Sequence, residues 1–229
     1  MVTLVLLPGM DGTGTLFDEF QSALGVDMAV RFVSYPDNGP QTYAELERHA
    51  RKALPTDTDY IVLGESFSGP IAVSIAASRP KGLVGVILCA SFVRNPRPLL
   101  APWRHVLGLL PIFAAPSAAI NAALLGRFAT PTLRSALASA LSRVSANTLR
   151  ERLQAVVSVD VSAQLKTIEV PVLYLLAQHD RVVPRAALEH ILRQHPATRV
   201  ECIDAPHFLL QAAPAAAATV IGRFISPKR

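Results

Sequence analysis

Short runs of apolar and β-branched residues alternate with amphipathic stretches of helical length along most of the chain, and turn residues follow each apolar run. This alternation is typical of an α/β fold, with a mainly parallel sheet and helices on both of its faces. The predicted strands cover residues 3–7, 29–34, 60–64, 83–89, 170–177 and 198–203. The predicted helices cover residues 15–24, 42–54, 66–78, 185–193 and 208–224.

The interval from about residue 93 to residue 164 interrupts this alternation, because it contains no convincing strand. Its Ala- and Leu-rich helical pieces are separated by Pro98, Pro102, Pro111, Pro116 and Pro131. Residues 106–126 carry no charge, so a membrane span has to be considered there. Two prolines within that stretch disfavour a span, since lipid cannot satisfy the backbone groups that they free. We interpret the interval as a helical insertion whose apolar faces cover something hydrophobic.

The composition favours one globular domain. With 51% apolar and 17% charged residues the chain is rich in core-forming residues, which argues against a disordered protein. Its 229 residues fit one domain better than two. We therefore expect a core made of residues 1–92 and 165–229, with the insertion at about residues 93–164 between its two parts.

The positive charge is concentrated in that insertion. Of the 22 basic residues, which give the chain a formal net charge of +5, eight are arginines between Ser91 and Asp160. Only two acidic residues lie in the same interval, whereas the rest of the chain holds 14 basic and 15 acidic residues. Nucleic acid is not an expected partner, because these arginines lack interleaved aromatic residues and no known binding module is present.

The two cysteines, Cys89 and Cys202, each lie within a predicted strand, where a small buried thiol is expected. The first residues lack a basic segment, and the apolar run that follows is too short for the core of a signal peptide. Together these features predict a reduced, cytoplasmic setting.

The segment "GESFSG" follows the third predicted strand and is close to the nucleophile-elbow motif G-x-S-x-G. The motif turns the chain sharply from a strand into a helix, so only small side chains fit two residues before and two residues after the serine. Gly64 and Ser68 meet this requirement, although the motif has glycine at the second position. Ser66 is therefore the candidate nucleophile. The alternative is a Ser/Gly helix cap without any chemistry.

A serine nucleophile needs a histidine base that is oriented by an acid, and in this motif class both follow the serine in the order acid, then histidine. Asp180 in "AQHDRVVP" and His207 in "APHFLLQ" each come just after a predicted strand. Asp180 could instead cap a helix, and His207 could be structural. His179 is a rival base, but it neighbours the acid and precedes it.

The loop "LLPGMDGTG" after the first strand predicts an oxyanion hole. The candidate donors are the backbone amides of Met10 and Phe67, with Gly9 letting the backbone bend close to the substrate. The spacing of these glycines does not match phosphate-binding loops, and no His/Cys/Asp cluster has the spacing of metal ligands. We expect neither a cofactor nor a metal.

These four segments, taken in order, resemble those of the α/β-hydrolase superfamily, in particular its esterase, lipase and thioesterase branch. The resemblance implies a trimmed α/β-hydrolase fold, with a mainly parallel sheet of about six strands and without the two leading antiparallel strands of the family. It also implies that the insertion at about residues 93–164 is a helical lid.

The resemblance further implies a serine hydrolase that cleaves a carboxylic ester or thioester with a hydrophobic acyl group, using Ser66, Asp180 and His207 as a triad. Two alternatives stay open. One is an acyltransferase that passes on the same acyl group, and the other is a non-catalytic ligand receptor on the same fold. The basic lid could dock an acyl carrier protein, the phosphates of coenzyme A or an anionic membrane surface.

Overall fold

The computed structural model describes residues 2–26, 28–98 and 117–225 of the chain. The described strands form one sheet in the order β2-β1-β3-β4-β5-β6, and every neighbouring pair is parallel. This arrangement confirms the trimmed α/β-hydrolase fold. The strands are β1 (Thr3–Leu7), β2 (Ala29–Phe32), β3 (Tyr60–Glu65), β4 (Leu83–Cys89), β5 (Val172–Ala177) and β6 (Arg199–Ile203).

Helices connect these strands, and several lie between β4 and β5. Within the described residues, three short 3₁₀ helices, Thr15–Phe17, Ser66–Ser68 and Gly126–Phe128, precede or separate the α-helices. The α-helices are α1 (Asp18–Leu24), α2 (Tyr43–Arg51), α3 (Gly69–Ala77), α4 (Ser117–Leu124), α5 (Pro131–Ser142), α6 (Ala146–Ser158), α7 (Ser162–Leu165), α8 (Arg185–Gln194), α9 (Leu209–Ala212) and α10 (Pro214–Ile225).

The central strands are buried on both faces, which explains their uninterrupted apolar sequences. Alternate side chains of a strand point to opposite faces. Val5 and Leu7 accordingly belong to one core cluster, whereas Leu4 and Leu6 belong to the other. Helices α2, α3 and α8 cover the first face of the sheet, and α1 and α10 cover the second.

Two local predictions were wrong. The last helix was expected to be continuous over residues 208–224, but α9 ends at Ala212 and α10 begins at Pro214. Proline lacks an N–H and is favoured at the first position of a helix, so it starts a new one. Cys202 was expected to be buried, but it is exposed because β6 is an edge strand. Cys89 is buried in β4, as predicted.

Helices α4 to α7 form a helical segment (residues 117–165) between β4 and β5. The chain leaves the core and returns to it side by side, because Arg94 and Asp160 form an antiparallel bridge. The Val161 N–H also donates to the Val93 carbonyl at 2.8 Å. Residues 106–116 of the uncharged stretch lie outside the described residues. Among the helices of residues 2–26, 28–98 and 117–225, none has the length and apolar character needed to cross a membrane.

Candidate active site

Ser66 lies at a sharp turn between β3 and α3. Its φ angle is +46°, a left-handed conformation that strains any residue other than glycine. A Cβ atom added at Gly64 would lie 2.6 Å from the Ser68 carbonyl oxygen, so a side chain at position 64 would collide with the backbone. The turn therefore has the local geometry of the predicted nucleophile elbow.

Ser91, which follows β4, holds this turn from the neighbouring strand. Its Oγ donates a hydrogen bond to the Ser66 carbonyl at 2.5 Å. Ser91 also lies against Gly69, where an added Cβ atom would be 1.9 Å from the Ser91 Oγ, so position 69 has no room for a side chain. Sequence analysis did not find Ser91, because a small polar residue after a strand is common and matches no motif.

The structure brings together Ser66, His207 and Asp180, which the sequence places far apart. The Ser66 Oγ lies 2.8 Å from the His207 Nε2, and the His207 Nδ1 lies 2.8 Å from an Asp180 carboxylate oxygen. A carboxylate can only accept a hydrogen bond, so Nδ1 carries the ring hydrogen and donates it to Asp180, which leaves Nε2 free to accept the hydroxyl hydrogen of Ser66. The His207 and Asp180 side chains are 4% and 6% exposed, so solvent competes little for these bonds.

The loop after β5 fixes the acid. The second carboxylate oxygen of Asp180 accepts hydrogen bonds from the backbone N–H groups of Val182 and Val183, at 2.7 and 2.9 Å. Both oxygens of Asp180 are therefore occupied, and the side chain cannot rotate away from His207 without losing these bonds. Asp180 therefore accepts hydrogen bonds from the turn and contacts His207 at the same time, so the two roles do not exclude each other.

The rival base, His179, takes part in a different cluster. Its Nε2 lies 2.8 Å from Asp204 Oδ1 and 3.0 Å from the Arg127 guanidinium. This cluster is at the surface, where the His179 side chain is 37% exposed. His179 therefore points to solvent, whereas His207 points to Ser66.

The loop after β1 is fixed through its carbonyl groups. Residues 8–12 each have a carbonyl oxygen that accepts a hydrogen bond, and the donors of these five bonds belong to four residues. The pairs are Pro8 with Ser68 Oγ, Gly9 with Gly12 N at 3.1 Å, Met10 and Asp11 with Arg152 Nη1 at 2.9 and 2.8 Å, and Gly12 with Tyr35 N at 2.7 Å. These bonds fix the orientation of the peptide planes around Met10, one of the two predicted oxyanion donors.

Ser68 connects this loop to the turn at Ser66. Ser68 has one hydroxyl hydrogen, which it donates to the Pro8 carbonyl, so the Tyr35 hydroxyl 2.6 Å away must be the donor to Ser68. Burial raises the pKa of Tyr35 well above its usual value, which keeps that hydroxyl protonated. Phe67, the source of the other predicted oxyanion amide, has a buried ring stacked on Tyr43.

A cavity of about 260 Å³ lies against Ser66 and His207. Gly9 and Met10 line it on the core side. Most of the remaining wall is apolar and comes from the helical segment. Those residues are Ile120, Ala123, Leu124, Leu137, Leu141 and Leu149.

Two acidic residues, Glu65 and Asp11, also line the cavity. Burial raises the pKa of Glu65 to about 8, an effect that the Gln211 amide opposes by donating a hydrogen bond at 3.0 Å and that the charge of Asp11 reinforces. Glu65 is therefore mostly a neutral carboxylic acid at pH 7. No three His, Cys, Asp or Glu side chains in the described parts of the chain lie close enough together to hold a metal ion.

Comparisons with known proteins relate this arrangement to hydrolases. The model of a family described as serine aminopeptidase, S33, matches residues 41–209, a range that includes Ser66, Asp180 and His207 but not the loop after β1. No curated protein sequence matches the chain at a significant level.

Solved structures share the fold at low sequence identity. An enol-lactonase from Burkholderia xenovorans LB400 has a TM-score of 0.84 and 17% identity, with 98% of this chain and 91% of that chain covered. An esterase from Exiguobacterium antarcticum has a TM-score of 0.82 and 15% identity, with 99% and 92% covered. A proline iminopeptidase from Mycobacterium smegmatis has a TM-score of 0.74 and 18% identity, with 99% and 89% covered.

The structural likeness supports the fold, and the family model covers well over half of the chain, from α2 to the start of α9. The chain therefore belongs to the serine aminopeptidase S33 family, a family of hydrolases within the α/β-hydrolase superfamily.

Proposed function

We propose that this protein is a serine hydrolase that cleaves a carboxylic ester or thioester with a hydrophobic acyl group, through an acyl-enzyme on Ser66. One observation carries the proposal. The Ser66 Oγ lies 2.8 Å from the His207 Nε2 at the wall of an apolar cavity, while the His207 Nδ1 is bonded to a buried carboxylate. A serine hydroxyl is a poor nucleophile unless a base removes its proton, and this contact supplies the base.

In the first half of the reaction, the Ser66 Oγ attacks the carbonyl carbon while its proton moves to the His207 Nε2. Asp180 stabilises the imidazolium that forms and keeps the ring in the required orientation. When the tetrahedral intermediate collapses, His207 gives the proton to the leaving alcohol or thiol. A water molecule then attacks the acyl-enzyme by the same steps, with His207 again as the base, and releases the carboxylic acid.

The negative charge on the tetrahedral oxygen needs donors that are already in place. Met10 lines the cavity from the loop after β1, and the Phe67 amide lies directly after the nucleophile, at the turn that leads into α3. Such donors act in a site with little water, where removing one typically costs about 2.7 to 4 kcal/mol of transition-state stabilisation. We assign these two amides to the oxyanion hole, with Gly9, Gly64 and Ser68 as the supporting residues that allow the close approach.

The apolar wall of the cavity favours a hydrophobic acyl group. Each methylene group that is transferred from water to such a wall contributes about 0.8 kcal/mol. Since the helical segment supplies most of this wall, we interpret it as the described part of a lid, whose predicted extent is residues 93–164. The lid would bind the acyl chain and exclude water from the reacting carbonyl.

The exposed arginines of the lid support an anionic partner, for which an acyl carrier protein, coenzyme A and an anionic membrane surface are the candidates. Arg94, Arg97, Arg127, Arg134 and Arg143 are all exposed. The measurement that tests this is the salt dependence of kcat/KM. For a coenzyme A thioester kcat/KM should fall as salt rises, while for a neutral ester of the same acyl group it should stay constant.

The family description makes an aminopeptidase the second candidate function. Peptidase and esterase chemistry can use the same triad, so the substrate decides between them. An aminopeptidase has to accommodate a positively charged amino group next to the scissile bond. Two acids line the cavity. Glu65 is mostly uncharged at neutral pH because its pKa is about 8, and the Asp11 Oδ2 already accepts two hydrogen bonds from Thr13. These features favour the acyl ester.

The experiment that tests the proposal combines labelling with a substrate series. We expect a fluorophosphonate probe to label the wild-type protein and not Ser66→Ala. We also expect activity on p-nitrophenyl esters to rise with acyl length beyond acetate, and aminoacyl p-nitroanilides to react much more slowly. Added alcohol should leave the acid as the main product, whereas a dominant ester product would identify an acyltransferase. His207→Ala should lose nearly all activity, and His179→Ala, its matched control, should keep it.

Absence of both labelling and hydrolysis would contradict the proposal and favour a non-catalytic receptor. A preference for the aminoacyl anilides would favour the peptidase. A flat or falling acyl-length profile would leave the triad in place but would rule out the apolar cavity as the acyl site.

A further inference from the structure

We propose that Arg152 is a positioning residue for the reaction: its guanidinium holds the loop after β1 so that the Met10 amide faces the substrate oxygen. This inference rests on the proposed function and deepens it. Arg152 lies on α6 in the helical segment, 142 residues after Met10 in the sequence. It therefore connects the helical segment directly to the predicted oxyanion hole.

The Arg152 side chain is only 1% exposed, yet its partners are neutral oxygen atoms. Besides the carbonyls of Met10 and Asp11, it donates to Gln41 Oε1 at 2.9 Å and to the Pro36 carbonyl at 3.1 Å. Among the described residues, Arg152 takes part in no direct ion pair. A buried charge is costly, and packed apolar residues often stabilise a core as well or better. The fork of donors instead fixes where several backbone groups lie.

The loop geometry shows what this contact controls. The Gly12 N–H donates to the Gly9 carbonyl at 3.1 Å, which closes a four-residue turn. The C=O and N–H of one trans peptide unit point in opposite directions, so the Met10 N–H points out of this turn. Within the described part of the chain, no backbone hydrogen bond donated by the Met10 N–H is found. By binding the carbonyls of Met10 and Asp11, Arg152 fixes the next two peptide units and hence the direction of that N–H.

Gly12 allows the guanidinium to come this close. Its φ angle is +70°, and a Cβ atom at this position would lie 2.4 Å from the Arg152 Nη1. Any other residue at position 12 would have to push the arginine away from the loop. Gly12 and Arg152 therefore act as one contact, which can be broken from either side.

Docking of α6 and completion of the oxyanion hole are coupled as a consequence. The start of α6 is held on the same side of the core, because the Ser145 N–H donates to Asp37 Oδ1 and the Thr148 hydroxyl donates to the Asp37 carbonyl, both at 3.0 Å. When α6 is in this position, Arg152 reaches the loop. When α6 moves away, the carbonyls of Met10 and Asp11 lose their donor and the Met10 amide is no longer fixed.

The test measures kcat per active site, titrated with the fluorophosphonate, for Arg152→Gln and Arg152→Lys. Losing one oxyanion donor lowers kcat by about 10² to 10³. We therefore expect Arg152→Gln to lose about 10²-fold in kcat, with KM within about threefold of wild type, and Arg152→Lys to recover part of the loss. The matched control is Arg185→Gln, which removes an exposed arginine from the start of α8 and should behave as wild type. A kcat per site of Arg152→Gln within threefold of wild type would overturn the proposal.

Amide hydrogen exchange of residues 9–14 gives a second readout that needs no activity. Exchange should be faster in Arg152→Gln than in Arg185→Gln, and unchanged exchange would also overturn the proposal. If the wild-type protein hydrolyses no ester, the proposed function fails while the exchange result still decides the role of Arg152 in the loop.

Gly12→Ala provides an independent variant in case Arg152→Gln does not fold. It should lower kcat per site by at least tenfold, since the added methyl displaces the guanidinium. Gly25→Ala is its control, because Gly25 also has a positive φ of +80° but has no atom within 4 Å of an added Cβ. Equal kcat values for these two alanine variants would contradict the role of the Gly12–Arg152 contact.

Discussion

The Ser68 hydroxyl donates a hydrogen bond to the Pro8 carbonyl and thereby joins the turn at Ser66 to the loop after β1. The elbow motif has glycine at this position, which could not make the bond. The Tyr35 hydroxyl donates to Ser68 in turn, so a chain of two hydrogen bonds crosses a fully buried region between the two proposed oxyanion donors. The departure from the motif thus has a structural role that side-chain size alone does not reveal.

Ser68→Ala should lower both stability and activity. It leaves the Pro8 carbonyl and the Tyr35 hydroxyl buried without a partner, which costs about 1 to 3 kcal/mol for an unsatisfied group. Urea unfolding should show this loss, and kcat per titrated site should fall about tenfold, equivalent to about 1.4 kcal/mol. Tyr35→Phe keeps the bond to Pro8, so it should cost less in both measurements. Equal effects of the two variants would show that the bond to Pro8 is not the important one.

The pattern of the sequence predicted the strands and singled out Ser66, Asp180 and His207 for local reasons. An apolar run followed by Gly64 and Ser66 encodes a strand and a tight turn in adjacent residues, and Asp180 and His207 each follow such a strand. Parallel strands bring their carboxyl ends to one edge of the sheet, so residues that follow different strands meet there.

Arg152, Tyr35 and Ser91 could not be found in this way. Their partners in the site are mostly backbone carbonyls, which every residue has, so nothing in the sequence marks the contact. Arg152 also lies on a helix whose other arginine, Arg150, is partly exposed, and only packing separates the two. The exposure of Cys202 depends on β6 being at the sheet edge, which is a property of strand order rather than of local pattern.

Glu65 should make stability fall as pH rises, which is the opposite of the effect of an acid whose pKa is lowered by folding. Its pKa is about 8 in the folded protein against 4.5 for an ordinary glutamate, so the folded state binds more protons between these values. Stability therefore falls as pH rises from about 4.5 to 8, by roughly 3 kcal/mol at pH 7. Urea unfolding at several pH values should show this decline in the wild-type protein and not in Glu65→Gln.

Glu19→Gln is the control for that series, because Glu19 is exposed on α1. It should keep the wild-type dependence on pH. If the wild-type protein and Glu65→Gln lose stability in parallel from pH 5 to pH 8, Glu65 does not carry a raised pKa in the folded state.

Two glycine substitutions should act in opposite directions. Gly64→Ala places a methyl group 2.6 Å from the Ser68 carbonyl, so the turn must distort. This distortion should lower the free energy of unfolding by about 1 to 3 kcal/mol and should remove a large part of the activity.

Gly222→Ala in α10 adds a methyl group with no atom within 4 Å. Alanine in a helix interior is better than glycine by about 0.5 to 1 kcal/mol, which for a domain of this size raises Tm by about 1 to 4 °C. Thermal unfolding of both variants checks the signs, and a lower Tm for Gly222→Ala would be inconsistent with this packing.

Leu141 should control the preference for acyl length. It is half-buried on α5 and belongs to the apolar wall that the helical segment gives to the cavity. In Leu141→Ala the acyl chain of the substrate loses contact with a leucine side chain. A loss of about 1.4 kcal/mol of transition-state stabilisation lowers kcat/KM about tenfold. We expect this loss for an octanoyl ester and little change for an acetyl ester, because an acetyl group has little apolar surface to place against this wall. Leu133→Ala is the matched control, since Leu133 is equally half-buried on α5 but does not line the cavity. Equal losses for both esters in Leu141→Ala, or the same selectivity change in Leu133→Ala, would mean that the acyl chain binds elsewhere.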